Sequence, residues 1–270
     1  MIKSKYPGGF DIFGNIALVK FPSDSSLKSK NKKEFAERLL KRHKSLTTVL
    51  EKTQKFKGRL RKQETKWLAG EKTKEVIYRE NGCVFRFDID KTYFSPRLSN
   101  ERKEIADSVK KWDEVLVMFA GVGPYPIVIA KNSKAGRVYS NEINREAKKY
   151  AELNVELNKV KEKIVLLPGD VKRVARKLED EGKKFDMIVM PRPQLKDSFL
   201  EQAFALSKGG KKGTRIFYYD FCKGEEIDSV VEKVNLEAKK ANKKIKILNV
   251  KKAGEIAPYR FRVRVDFRVL

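Results

Sequence analysis

Cysteine and histidine are almost missing from this 270-residue chain, which has two cysteines, Cys83 and Cys222, and one histidine, His43. Two thiols cannot build a disulfide framework or a four-ligand zinc site, and one imidazole leaves little material for histidine-based triads. Both thiols are expected to be buried, the ordinary state of an unpaired cysteine, and His43, on a basic segment, is expected to be solvated. No stretch approaches the ~18 apolar residues of a membrane span. The opening MIKSKYPGGFDIFGN also lacks the continuous apolar run of a secretory leader. Acid is scarce as well: 36 Asp and Glu against 62 Lys and Arg leave a net charge of +26. Heat-adapted proteins carry many surface charges without a partner, but glutamate usually balances them. An uncompensated excess of this size favours association with phosphate backbones. With 40% hydrophobic residues the chain has material for a folded core. A cytoplasmic protein with a nucleic-acid partner is expected.

The first third of the chain reads as a small α+β unit over residues 1–90. FDIFGNIALVKFP (10–22) predicts a strand pair around a Gly14-Asn15 turn, and residues 26–43 predict a basic amphipathic helix. A short strand at 47–50 and a basic loop follow, and then EVIYRENGCVFRFDI forms a hairpin on Asn81-Gly82. Over residues 91–270 the rhythm changes. A helix from about Ser99 to Lys110 is followed by apolar strands at 115–120, 137–143, 163–170, 185–190 and 214–221, with helices between them. That alternation predicts a mostly parallel sheet covered on both faces. The tail, KIKILNVKKAGEIAP then YRFRVRVDFRVL, predicts an antiparallel pair at the edge, completing a seven-stranded, Rossmann-like α/β domain. By fold analogy this is the layout of class I S-adenosylmethionine-dependent methyltransferases.

The chemistry-bearing residues fall at the strand ends, where open α/β sheets bind ligands. FAGVGPY (119–125) follows the first strand, and Gly121 and Gly123 allow a ligand close to the backbone. A plain strand-to-helix turn would use the same glycines. Glu142, after the second strand, is spaced to accept from ribose hydroxyls; a solvated carboxylate at a helix start is the plainer alternative. Asp170, after the third, could accept from an adenine amino group or could simply cap a helix. After the fourth strand comes MPRPQLKDSF, a rigid Pro191-Arg192-Pro193 turn of the kind that can hold a flipped base, or one that merely ends the strand. In KTYFSPRLSNER (91–102), Arg97 and Glu101 share a helix face, which suggests either a carboxylate base beside cations such as Arg102 that hold phosphate or base, or a plain surface ion pair of little worth. Lysine-rich clusters at 28–33 and 52–62, Lys55, Lys57 and Arg59 among them, are candidate phosphate contacts. Trp67 and Trp112 are expected in the core, Tyr93 and Tyr125 beside the pocket.

As a set, FDIFGNIALVKFP, the GRLRKQ…FSPRLSNER block, MFAGVGPY, NEINREA, PGDV and APYRFRVRVDFRV resemble archaeal tRNA (guanine 37-N1)-methyltransferases over nearly the whole chain. The resemblance implies transfer of a methyl group from S-adenosylmethionine to N1 of guanine 37, next to the anticodon, with no metal. It puts Phe119, Glu142 and Asp170, with Tyr93 and Arg97, at the cofactor; Glu101 as general base for N1; and Arg61 as the cation beside O6. The partner implied is the anticodon arm of tRNA, and a monomer is expected. Family members commonly carry an acidic residue where Val117 stands, and an Asn-Leu-Pro loop where Met190-Pro191-Arg192-Pro193 stands. They often carry a further N-terminal, elbow-reading domain, whereas this sequence starts at the domain after it. Two other readings stay open: a wyosine-pathway transferase, adding methyl or aminocarboxypropyl to the modified base, and a non-catalytic tRNA-binding relative.

Overall fold

The computed structural model describes residues 6–22, 27–54, 58, 60, 62–224 and 226–270. The chain divides into two compact units, Met1–Pro96 and Arg97–Leu270.

The first unit contains β1 (Phe10–Phe13), β2 (Ile16–Val19), α1 (Ser29–Arg42), β3 (Thr48–Lys52), β4 (Thr65–Gly70), β5 (Glu75–Glu80) and β6 (Cys83–Asp88). β1 to β4 form one sheet in sequential order, in which β2 and β3 run parallel because α1 carries the chain back between them. Ala36 and Leu39 of α1 bury against Ala17, Val19, Val49 and Leu68. The β4 strand was not anticipated, since TKWLAG has no period-2 alternation; its Trp67 indole, half-buried, donates to the Glu71 carbonyl (3.1 Å). His43 is half-buried at the end of α1, its ring edge-on to Phe10 at 5.6 Å, rather than solvated. The β5–β6 hairpin forms on Asn81-Gly82, both with positive φ. Residues 91–95, grouped by sequence with the following domain, pack in this first unit: Phe94 sits 4.7 to 5.7 Å from the rings of Tyr78, Phe85 and Phe87.

The second unit holds α2 (Ser99–Ser108), β7 (Glu114–Val117), α3 (Pro124–Asn132), β8 (Arg137–Glu142), α4 (Arg145–Leu157), β9 (Ile164–Pro168) and α5 (Val171–Asp180). It continues with β10 (Met187–Met190), α6 (Leu200–Ala205), β11 (Arg215–Lys223), α7 (Ile227–Lys240), β12 (Ile245–Ala257) and β13 (Arg260–Val269). Its seven-stranded sheet has the order β12-β13-β11-β10-β7-β8-β9. β9, β8, β7, β10 and β11 are parallel, and β13 and β12 close the edge antiparallel. β7 and β10 are buried on both faces, which explains their uninterrupted apolar runs. Helices α5, α6 and α7 cover one face, with Phe185, Phe204, Tyr218 and Phe267 among the buried residues there. Both thiols are buried. Trp112, expected in the core, is instead 72% exposed with φ +69°, in the turn before β7. Among the described residues no helix is long and apolar enough to cross a membrane.

Candidate active site

Three loops at the carboxyl ends of β7, β8 and β9 are stitched together. After β7 the chain takes left-handed φ at Phe119 (+60°), Gly121 (+59°) and Gly123 (+90°). Gly123 caps α3, where a β-carbon would be strained by the dihedral and would lie 3.0 Å from Ile127. This curl turns the Gly121 N–H onto Glu142 Oε2 (2.7 Å), while the Asn144 N–H donates to Oε1 (2.7 Å). Burial pushes the Glu142 carboxyl above its ordinary range, opposed by these backbone donors. The Asn141 amide donates to Leu167 O (2.9 Å) and Gly169 O (3.0 Å), tying β8 to the loop after β9. Asn154 donates to Val122 O (3.0 Å) and fastens α4 to the glycine loop. Asp170 caps α5, accepting from the Lys172 N–H at 2.8 Å, so the plainer alternative for this residue is realised on one oxygen. Neither asparagine was singled out by sequence, because a buried amide that joins loops 26 to 32 residues apart has no local signature.

The donor set suits a nucleoside. A ribose diol is a pair of hydrogen-bond donors and needs a fixed anionic acceptor; Glu142 is one, oriented by two backbone amides and not by a cation that would compete for it. Phe119, half-buried and edge-on to Phe199 at 5.0 Å, adds an apolar wall.

On the other side of β7 the arrangement is made of charged side chains. Glu101, in the first turn of α2, is 7% exposed. Its Oε2 accepts from Arg264 Nη1 (2.7 Å) and from the Tyr219 hydroxyl (2.9 Å), and its Oε1 meets Lys251 Nζ at 2.6 Å. Arg264 also holds Asp266 through Nε (2.7 Å) and Nη2 (2.8 Å), and Glu104 through Nη2 (2.5 Å). Tyr125, just after the glycine loop, donates to Tyr219 (3.2 Å). A hydroxyl chain therefore runs from the start of α3 to the Glu101 carboxylate. Burial pushes Tyr125 up to about 12 and Tyr219 well above the usual tyrosine value, so both remain neutral donors. Arg102 is buried with its guanidinium over the Tyr125 ring at 5.8 Å. Tyr219, Lys251 and Arg264 were missed by sequence reasoning, because they reach Glu101 from strands at the far end of the chain.

Pro191 and Pro193 are half-buried, but Arg192 between them points inward. Its Nη2 meets Asp220 Oδ1 (2.7 Å), its Nε lies 3.2 Å from the Tyr218 hydroxyl, and its Nη1 donates to the carbonyls of Pro193 (3.0 Å) and Leu195 (3.1 Å). Burial alone would raise the Asp220 carboxyl, but Arg192, Lys233 and Tyr218 hold it below the aspartate range. The arginine assigned to substrate contact is therefore occupied in holding the loop to β11. Asp197 anchors the loop's other end, to the Phe199 N–H (2.9 Å) and Lys172 (2.7 Å).

Tyr93 is half-buried in the first unit, and Arg97 is exposed at the start of the second. Lys55, Lys57, Arg59 and Arg61 lie outside the described residues. Among the described residues no group of three or more His, Cys, Asp and Glu could hold a metal ion.

Comparison with known proteins fits this geometry. Residues 76–248 match the TRM5/TYW2 methyltransferase domain, and residues 2–73 match the TYW2 N-terminal domain. The chain is 37% identical over 265 residues to tRNA (guanine(37)-N(1))-methyltransferase Trm5b of Pyrococcus abyssi, spanning 97% of this chain and 75% of that one. It is 33% identical over 308 residues to tRNA (guanine(37)-N(1))/4-demethylwyosine(37)-methyltransferase Taw22 of Nanoarchaeum equitans, spanning 97% and 99%. Among solved structures, Methanocaldococcus jannaschii Trm5 in complex with adenosine superposes with TM-score 0.79 at 30% identity, covering 98% of this chain and 75% of that one. The complex of aTrm5 with tRNALeu gives TM-score 0.81 at 29% identity, covering 98% and 73%. This chain belongs to the TRM5/TYW2 methyltransferase family.

Proposed function

We propose that this chain is a tRNA methyltransferase that methylates N1 of guanine 37, using S-adenosylmethionine. Its partner is the anticodon arm, and it works as a monomer in the cytoplasm. The observation that carries the reading is the hydroxyl chain Tyr125–Tyr219–Glu101, which connects the glycine loop to a buried carboxylate in a chain 37% identical to a tRNA (guanine(37)-N(1))-methyltransferase.

Glu142 and the loop from Phe119 to Gly123 hold the nucleoside, with Asp170 beside the adenine. When bound, S-adenosylmethionine supplies a methyl group already activated on a sulfonium. Guanine N1 carries a proton and is a poor nucleophile until that proton leaves, and Glu101 removes it. Arg264 is almost wholly buried, so its hold on Oε2 is permanent, whereas Lys251 is 31% exposed and has Glu104 as a second partner at 2.5 Å. Oε1 is thus the oxygen that can exchange its cation for the N1–H. Tyr219 keeps the carboxylate aimed while that exchange occurs. Arg61 stabilises the charge that develops on O6. Pro191 and Pro193, in a loop fixed from behind by Arg192, form the wall against which a splayed base rests.

Nucleoside mass spectrometry of unmodified tRNA transcripts, incubated with the protein and S-adenosylmethionine, is the test. 1-Methylguanosine should appear, and should vanish when guanine 37 is replaced. Absence of product from a well-folded, cofactor-binding protein would sink the reading. The Pro191 loop and the relative with a double name favour a second substrate, the 4-demethylwyosine base at the same position. A gain of one methyl mass on that base would establish it, and an aminocarboxypropyl mass would replace it.

A further inference from the structure

The antiparallel edge of the sheet carries a feature that the methyl-transfer chemistry does not use. β11 ends at Lys223 opposite Arg260, the first residue of β13, so the β12–β13 turn projects at the same sheet end as the cofactor loops. Tyr259 lies in that turn, 80% exposed and with φ +57°. A non-glycine residue in the left-handed region is strained, and such strain persists only where the surroundings impose it. Here both flanking backbone groups are fixed. The Tyr259 N–H donates to Glu255 Oε1 (3.2 Å), and its carbonyl accepts from the Gly224 N–H (2.8 Å). The strain serves no packing, because the ring is in solvent.

Next to the turn, exposed Lys223 stands opposite exposed Arg260 in the ladder, and exposed Lys252 and half-buried Arg262 lie further along β12 and β13; Glu255 is the acid that holds the Tyr259 N–H. Lys252 lies over the Phe261 ring at 4.3 Å, and Arg262 over the Phe221 ring at 5.5 Å. Aromatic faces interleaved with cations are how proteins hold unpaired nucleotides: rings stack on bases and cations follow the backbone. The last ladder pair, Lys223 opposite Arg260, lies four residues from Tyr219 opposite Arg264, or about 13 Å beyond the Glu101 cluster at ~3.3 Å per residue, and Tyr259 is one residue further. An RNA loop that delivers one base to Glu101 has neighbours to place at such a distance.

We propose that Tyr259 is a stacking platform for an unpaired base of the tRNA loop flanking the methylated nucleotide, held rigid by its strained turn and flanked by Lys223 and Arg260 as phosphate contacts. This rests on the tRNA reading above. The test is equilibrium binding of a tRNA transcript to the full chain across a salt series, with cofactor affinity measured alongside. Tyr259→Gly removes the ring and relieves the strain, so the fold should be at least as heat-stable as wild type. Its tRNA affinity should fall about 5- to 160-fold, the range for losing one stacked base, with unchanged salt slope and unchanged cofactor binding. Tyr259→Trp should retain wild-type affinity, and Lys223→Ala with Arg260→Ala should flatten the salt slope. Wild-type tRNA affinity in Tyr259→Gly would overturn this inference alone. A wild-type chain that neither binds tRNA nor makes 1-methylguanosine would overturn this inference and the proposed function together.

Discussion

Glu142 and Glu101 are both glutamates at the carboxyl side of one sheet, and they are held in opposite ways. Glu142 is oriented by backbone: the N–H groups of Gly121 and Asn144 aim it, and burial raises its carboxyl. Glu101 is oriented by side chains: Arg264, Lys251 and Tyr219 converge on it from β11, β12 and β13. Backbone amides cannot leave, so Glu142 is a permanent, uncompeted acceptor, which is what binding a neutral diol requires. Side-chain cations can be exchanged, so Glu101 can release one partner and take another, which is what accepting a proton requires. In the proposed function, one half of the site binds and the other reacts.

Breaking the charged half should have the larger effect. Arg264→Met leaves the buried Glu101 and Asp266, and the exposed Glu104, without the guanidinium they share. Removing one partner of a buried ion pair costs about 3–5 kcal/mol. Chemical denaturation should read a loss of that order, and retention of wild-type stability would mean that Lys251 alone suffices. Breaking the backbone half is milder. Glu142→Gln keeps one acceptor oxygen but loses the charge, and a charge-assisted hydrogen bond is worth about 1.5–3 kcal/mol. Calorimetry should therefore show cofactor affinity lower by about 10- to 160-fold, and chemical denaturation a loss of about 1–3 kcal/mol, because the amide nitrogen faces one of the two backbone N–H donors. The same comparison can be sharpened with pH. Because burial raises the Glu142 carboxyl, the ionised acceptor is present above that raised value and is lost as pH falls through it. Cofactor affinity in the wild type should thus weaken on acidification before the ordinary glutamate range, near 4.3, is reached, and Glu142→Gln should abolish that dependence. An equal pH profile in both proteins would remove Glu142 as the acceptor.

The contrast also explains what the sequence could show. The Glu142 half is local: a glycine loop after one strand, an acid after the next and an aspartate after the third appear in order along the chain. Backbone donors need no special residues, so loop pattern alone suffices to find them. The Glu101 half is legible only at Glu101 itself. Its partners lie 118 and 163 residues away, and their pairing depends on strand register, which fixes Tyr219 opposite Arg264. Arg192 was legible as a loop residue but not in its direction: whether it faces ligand or core is decided by Asp220 on a neighbouring strand. Trp112 and Tyr259 show the same limit for aromatics, since both are held outward by left-handed backbone that composition does not reveal.

The division of labour between the two carboxylates is tested most directly by Glu101→Gln, with single-turnover methylation of a guanine 37 transcript and cofactor affinity measured on one preparation. Methyl transfer should fall by about 10²- to 10⁴-fold, the contribution of a general base, while cofactor affinity stays at the wild-type value. A wild-type rate would contradict the assignment of Glu101 as the proton acceptor, and a loss of cofactor affinity equal to the loss of rate would contradict the separation of the two halves.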